Sequence, residues 1–142
     1  MTSKDNYLVF IQNVITRMNS NSFTIKTMTM ATVAAFSGIY ATTVKGILLI
    51  IAFLSTIIYW LLDSYYLKQE RQYRELYKKA RNLKENSSEI YDMNASGFTN
   101  GKCSMLSTMF SITILPIYGV ALVLILITFF CQHGIGIMIY DK

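Results

Sequence analysis

An uncharged apolar run passes directly into a charged run near the middle of the chain. Gly46–Leu62 reads GILLIIAFLSTIIYWLL and carries no charge, and Asp63–Lys84 follows it with neither Gly nor Pro. The first run belongs in lipid or in a protein core, whereas the second belongs in water or at a membrane surface. The junction therefore predicts a membrane-spanning helix that continues unbroken into the cytoplasm.

The apolar residues are gathered in three blocks of near-membrane length rather than spread periodically. The 142 residues are 53% hydrophobic and only 15% charged, so little chain is left for an aqueous core. This pattern predicts an all-α integral membrane protein. We expect no enzyme activity, no cofactor and no metal site, because no candidate nucleophile has a base at a recognisable spacing.

Positive charge is distributed unevenly along the chain. Eleven of the 13 Lys and Arg lie in Met1–Lys26 and Asp63–Lys102, which the positive-inside rule assigns to the cytoplasm. The prediction is three spans, with the N-terminus inside and the C-terminus outside. Its segments are an amphipathic cytoplasmic or interfacial helix (1–22), a transmembrane hairpin (23–62), a cytoplasmic helix and loop (63–106), a third transmembrane helix (107–133) and an external tail (134–142).

The N-terminal segment carries an apolar face at helical spacing, formed by Tyr7, Leu8, Ile11, Val14, Ile15 and Met18. Two interpretations fit this face. The helix packs on the rest of the protein, or it lies on the inner leaflet of the membrane. The run Asn19–Ser22 (NSNS) predicts a break before the first span.

The first span is poor in Leu and rich in small residues. Spacings of four, three and four place Ala31, Ala35, Gly38 and Thr42 on one face, which we name the small-residue stripe. Such a face allows another helix backbone to approach closely, and the hairpin is expected to pack through it. With hydroxyl residues such as Thr32, it also fits a water- or ion-facing pore wall, and the two interpretations are compatible in an oligomer.

Asp63 lies at the predicted boundary between lipid and water. An ionised Asp at mid-bilayer costs about 2.5–3.5 kcal/mol on insertion scales, so this carboxylate should lie at the edge or be paired. It is either a plain boundary residue or part of a structural or gating pair. The candidate partners are Arg17, Lys26 and Arg71 of a neighbouring subunit.

The charged helix beyond Asp63 carries a heptad-spaced seam of Leu62, Tyr66, Gln69, Tyr73, Leu76, Ala80 and Leu83. It predicts a weak coiled coil strengthened by membrane tethering, with a solvated surface helix as the alternative. The basic residues of this helix set topology and attract anionic headgroups, or they bind a phosphate-bearing signal. The candidates for that site are Arg71, Arg74, Lys78, Lys79 and Arg81.

The last span contains Pro116 in its first half, which predicts a kink because Pro removes one helical hydrogen bond. His133 follows at the outer end and is interpreted as an exposed boundary residue rather than a ligand. Cys103 and Cys131 are separated by roughly a bilayer thickness, so a disulfide between them is not expected.

Three runs resemble a group of small bacterial membrane proteins: ITRMNSNSFTIK (Ile15–Lys26), YWLLDSYYLKQERQYRELY (Tyr59–Tyr77) and FSITILPIYG (Phe110–Gly119). The layout is similar to SLATT-type membrane effectors of prokaryotic conflict systems, which carry a two-span hairpin followed by a cytoplasmic helix. The resemblance implies a membrane-disrupting or pore-forming effector paired with an enzyme that makes a nucleotide signal. The chain departs from the group at Thr27–Thr29, where the group carries a Trp.

These observations lead to one main hypothesis. The chain is expected to be a pore- or channel-forming effector of antiphage defence in the bacterial inner membrane. One chain with three short spans cannot enclose a pathway, so it would act as a homo-oligomer, a tetramer or larger ring. A nucleotide or oligonucleotide signal would gate it, without sequence-specific binding of nucleic acid. The alternatives are a non-conducting anchor that docks a protein partner, and a phage holin or exclusion protein.

Overall fold

The fold is built on two long antiparallel helices. In the computed structural model, which describes residues 2–85 and 87–140, helix α1 spans Ser3–Thr43 and helix α2 spans Ile47–Arg81. A capping box starts α1, because the Thr2 side chain accepts from the Asp5 amide while the Asp5 carboxylate accepts from the Thr2 amide. The connection between the helices is as short as predicted and holds Val44 in the left-handed region, at φ 54°.

The predicted break at Asn19–Ser22 is wrong, because α1 runs through it without interruption. The residues that would favour a break are overridden by packing against α2. Buried residues recur along one face of α1 at spacings of three, four and seven, which form a continuous seam. They are Tyr7, Ile11, Ile15, Ser22, Ile25, Thr29, Val33 and Tyr40.

Helix α2 confirms the predicted passage from an apolar span into a charged helix. It contains 35 residues, and its last turn carries Lys78, Lys79 and Arg81, which complement the negative end of the helix dipole. We call Ser3–Asn21 with Ser64–Arg81 the polar half of the hairpin. We call Phe23–Thr43 with Ile47–Leu62 the apolar half.

The predicted third span starts later than expected. A 3₁₀ turn (Gly101–Cys103) and the short helix α3 (Met105–Met109) precede helix α4, which spans Leu115–Tyr140. The predicted Pro116 kink is wrong, because Pro116 lies in the first turn of α4, where no intrahelical hydrogen bond is lost. Helix α4 continues past the predicted end of the last span, through residues 134–140, so an external position of this segment stays a prediction, while Asp141 and Lys142 lie outside the described residues.

Three apolar clusters hold the helices together. In the polar half, Tyr7, Ile11 and Ile15 of α1 pack on Leu76 and Ala80 of α2, and the loop after α2 covers them. In the apolar half, α4 packs against both helices of the hairpin. The contacts there form a cluster of Val33, Tyr40, Leu49, Ala52, Ala121 and Ile125. A third cluster, at the start of the polar half, joins Leu67 of α2 to Ile114 and to Tyr118 of α4.

Two helices are long and apolar enough to cross a membrane, α2 and the Leu115–Gly134 part of α4. Only 28% and 17% of their most apolar stretches are buried, so they do not resemble core helices of a soluble protein. This indicates a membrane protein. The first predicted span, in the second half of α1, does not meet the same criterion, and three spans with N-in topology stay a prediction.

Candidate functional site

A buried ion pair lies where the polar and apolar halves of the hairpin meet. The Lys26 ammonium is 2.8 Å from Asp63 Oδ2 and donates a hydrogen bond to Oδ1 at 2.9 Å. Ser22 also donates its hydroxyl to Oδ1. The Asp63 side chain is 0% exposed and that of Lys26 is 14% exposed. Of the two candidate partners within the chain, Arg17 and Lys26, the structure therefore selects Lys26.

The antiparallel geometry explains how these side chains meet. Ser22 and Lys26 are four residues apart on α1 and so lie on one face, which is the face turned towards α2. Asp63 Oδ2 lies next to the ammonium group, and Oδ1 accepts from both Lys26 and Ser22. Removing either partner of such a buried ion pair is costly, because the remaining charge is left uncompensated.

The neighbouring buried hydroxyls are satisfied by backbone carbonyls. Thr29 donates to Ile25 O at 2.8 Å, and Ser64 donates to Trp60 O at 2.7 Å. Tyr118 of α4 reaches the same level and donates to Tyr59 O at 3.2 Å. These hydroxyls stabilise helices instead of forming an open path, so the junction is a closed, electrically neutral contact.

Arg17 was a candidate for this pair, but the structure does not bring it there. It lies exposed on α1 beside Phe10, Asn13 and Met93. The hydroxyl of Ser22, which the sequence had assigned to a helix break, takes part instead. Its position four residues before Lys26 is the signal that identifies it once α1 is known to be continuous.

The small-residue stripe does not hold the hairpin together. Its four members are all exposed, and a Cβ atom added at Gly38 would meet nothing within 4 Å. At 100° per residue, the stripe lies on the side of α1 opposite to Thr29, Val33 and Tyr40, which pack the hairpin. Thr32 is half-buried at its edge. The expectation that the hairpin packs through the stripe is therefore wrong within one chain, while packing between chains stays a prediction.

Three of the five candidate phosphate-binding residues line one cavity. Arg71, Arg74 and Lys78 face Gln12 and Ile15 of α1 across a space of about 370 Å³. Glu75 also lines it and pairs with Lys78 at 2.7 Å, so the lining is less basic than the sequence alone suggests.

The other contacts of these cations are structural. Arg71 donates to Lys102 O at 2.7 Å, and Arg74 pairs with the buried Glu70 at 2.7 Å. Lys79 pairs with Glu89 at 2.7 Å, and this hydrogen bond raises the pKa of Lys79. Arg81 is exposed, and neither it nor Lys79 lines the cavity. The predicted cluster is thus divided between a cavity wall and helix-to-loop contacts.

The heptad seam of α2 is occupied by the same chain over its final part. Leu76 and Ala80 are buried against α1, whereas Leu62 is 43% exposed. The N-terminal apolar face is therefore explained by packing, and the interfacial interpretation is wrong for Tyr7, Ile11 and Ile15. Tyr7 also donates its hydroxyl to Asp92 O, and burial raises its pKa.

The His, Cys, Asp and Glu side chains lie apart from one another in the part of the chain that the structure describes. Over residues 2–85 and 87–134, no three His, Cys, Asp or Glu side chains gather into a group. His133 is exposed and packs against Phe129, with ring centroids 4.6 Å apart. Cys103 is buried, Cys131 is exposed, and both are free.

Comparison of the chain with protein-family models, with curated proteins and with solved structures found no match.

Proposed function

We propose that this protein is the pore-forming subunit of a homo-oligomeric effector in the bacterial inner membrane, acting in antiphage defence by membrane depolarisation. The spans of several copies would surround a pathway, with α1 on the inside of the ring. A nucleotide-derived signal or a protein partner would gate the pore from the cytoplasmic side. The resemblance to SLATT-type effectors supports the biological role.

The observation that carries the proposal is a contrast between outward faces in the apolar half. Outward residues of α2 and α4 are large, as expected for contact with lipid. The stripe face of α1 is formed by Ala, Gly and Thr, and small residues favour close helix contacts, while the exposed Phe23, Met28 and Ile39 lie elsewhere on α1. The exposed large residues of the other two helices include Ile50, Phe53, Leu54, Ile58, Val123, Leu126, Ile127 and Phe130.

The hydroxyls on this face are compatible with either a helix contact or a pore wall. Thr42 donates to Ile39 O at 2.9 Å and Thr27 donates to Phe23 O at 3.1 Å, so both are satisfied within α1. Their oxygens keep free acceptor capacity for a water or an ion. In an oligomer with α1 at its centre, the same face would both contact the neighbouring α1 helices and line the pore.

The buried ion pair is the natural point for gating under this proposal. It connects the two halves of the hairpin, and its loss would leave a charge in a water-poor site. A signal that moves the polar half of α1 against α2 would have to shift Lys26 relative to Asp63. The cavity lined by Arg71, Arg74 and Lys78 lies between those same two helices.

The experiment compares Gly38→Leu with the matched change Gly119→Leu in α4. An added Cβ meets nothing within 4 Å at either glycine, so neither position is closely packed at its Cα within one chain. Gly38→Leu should abolish oligomers detected by crosslinking in membranes, and it should abolish depolarisation read with a voltage-sensitive dye. Gly119→Leu should leave both intact. Unchanged oligomers in Gly38→Leu would contradict assembly through α1.

A second candidate function is a non-conducting anchor that docks a cytoplasmic protein. The specific observation in its favour is that Arg74, Lys78 and Lys79 already have carboxylate partners within the chain. Such a neutralised surface suits a protein interface better than a highly charged ligand. Depolarisation by the full system that depends on Gly38 would exclude this candidate.

A further inference from the structure

The segment between the polar half and α4 presents a row of large apolar side chains to the outside. Leu106 is 70% exposed, Phe110 is 60% exposed and Ile112 is 91% exposed. The sequence had placed residues 107–112 inside the last span, but α4 begins only at Leu115. The apolar row therefore lies on a separate, non-spanning piece of chain.

This piece is held firmly against α2. Trp60 donates its indole N–H to Met109 O at 3.1 Å, and its ring meets that of Phe110 edge-on at 5.9 Å. Ile114 at its end is 0% exposed and packs on Leu67. The exposed row is thus a built surface with a fixed orientation.

The position of the apolar row along the axis of α2 follows from its contact with Trp60, which lies close to Asp63. Trp60 precedes the junction carboxylate by three residues, which is about 4.5 Å along the helix axis. Leu61 and Leu62, which follow Trp60 on α2, are 44% and 43% exposed, and Leu115, which follows the row at the start of α4, is 44% exposed. Exposed apolar side chains at this level, where the apolar half of the hairpin ends, belong at the membrane interface.

Cations lie at the other end of the same piece. Lys102 is exposed, and its carbonyl accepts the hydrogen bond from Arg71. An element with apolar side chains on one side and basic groups towards water is typical of segments that lie in the interface of anionic membranes.

We propose that residues 102–112 form an interfacial anchor. Leu106, Phe110 and Ile112 insert among lipid acyl chains on the side of the polar half, and Lys102 meets anionic headgroups. The anchor fixes the depth at which α4 enters the bilayer. The partner is the lipid surface itself, which is independent of whether the protein conducts ions.

The test is a nitroxide label at residue 112. The variant Ile112→Cys is made with Cys103→Ser and Cys131→Ser and is reconstituted in vesicles of equal parts phosphatidylcholine and phosphatidylglycerol. Collisions of the label with oxygen, which concentrates in lipid, are compared with collisions with a water-soluble nickel chelate. Leu124→Cys, on the lipid-facing side of α4, and the exposed Lys84→Cys serve as lipid and water references.

The label at residue 112 should give an oxygen-to-nickel ratio between those of residues 124 and 84, and several-fold above that of residue 84. A ratio equal to that of residue 84 would place the row in water and overturn the proposal. Low access to both reagents would mean that a protein surface covers the row, which would overturn it as well. The residue 124 reference shows whether the protein is inserted, and none of the readings depends on pore activity.

Discussion

The two halves of the hairpin share one continuous helix seam but differ in what packs around it. In the polar half, Tyr7 and Ile11 of α1 are 1% and 0% exposed, and the loop after α2 covers the pair. In the apolar half, Val33 and Tyr40 continue the same seam, with α4 added alongside. If the apolar half lies in lipid, as we propose, removal of apolar surface from water stabilises only the first contact, whereas close packing and hydrogen bonds stabilise the second, because lipid is as apolar as the side chains.

The outward faces of α1 differ in the same way. In the polar half its outward residues include Gln12, Asn13 and Thr16, which water solvates. In the apolar half the outward face is the small-residue stripe. The buried seam is therefore sufficient to pair α1 with α2. The composition of the outward faces instead indicates whether each half is in contact with water, with lipid or with another helix. The ion pair of Lys26 with Asp63 marks the change of surroundings.

The largest effect is expected at that junction. Asp63→Leu leaves the Lys26 ammonium in a site that is only 14% exposed, with no carboxylate partner. Breaking one member of a buried ion pair typically costs about 3–5 kcal/mol. The free energy of unfolding, measured by circular dichroism during titration of mixed micelles with sodium dodecyl sulfate, should fall by this amount.

The double variant Lys26→Met with Asp63→Leu is the control for this prediction. It removes both charges and keeps similar volume, so it should recover most of the stability lost in the single variant. If the single variant were as stable as the natural protein, the pair would be a solvent-exposed boundary contact that does not stabilise the junction of the two halves.

A smaller loss of stability is expected from truncating a buried isoleucine, and its size should differ between the polar and the apolar half. Ile11→Ala in the polar half and Ile125→Ala in the apolar half both remove a buried isoleucine, at 0% and 6% exposure. The first change should cost about 2–5 kcal/mol, because it loses burial from water and also opens a cavity. The second should cost less, because only the packing contribution is lost when the surroundings are lipid.

The same micelle titration measures both variants, so their difference does not depend on the absolute scale. Equal losses would mean that the apolar half is surrounded by water or is covered by protein in the same way as the polar half. That result would contradict a membrane location for the α2 and α4 spans.

Prediction from the sequence succeeded where one element decides the outcome. The uncharged run of α2 and the absence of Gly and Pro after it are sufficient for a long continuous helix, and α2 has that form. Lys26 was one of three candidate partners of Asp63. The choice among them needed the register of α1 against α2, which local sequence does not encode.

Prediction failed where a neighbouring helix decides the outcome. Asn19–Ser22 favours a break locally, but α2 buries Ser22 and Ile25 and keeps α1 helical through the run. Pro116 fits a kink or a helix start equally well by sequence, and contacts of Ile114 and Tyr118 select the start. Whether the small-residue stripe faces α2 or the outside depends on which face of α1 packs against α2. The sequence of α1 alone does not determine that.

The smallest effect on stability is expected in the polar half, at Lys78. Its pair with Glu75 is exposed, at 65% and 42%, and such pairs contribute only about 0–1 kcal/mol. Lys78→Gln should therefore leave the free energy of unfolding almost unchanged. Because Lys78 lines the cavity between α1 and α2, the same variant should weaken the response to a phosphate-bearing signal if that cavity is the sensor.

Lys79→Gln is the matched control, because Lys79 is similarly exposed and paired but lies outside the cavity lining. Loss of dye-reported depolarisation in Lys78→Gln, with a normal response in Lys79→Gln, would connect the polar half to gating. A normal response in both variants would separate the two halves functionally. The polar half would then serve to dock a protein partner, and conduction would depend on the apolar half alone.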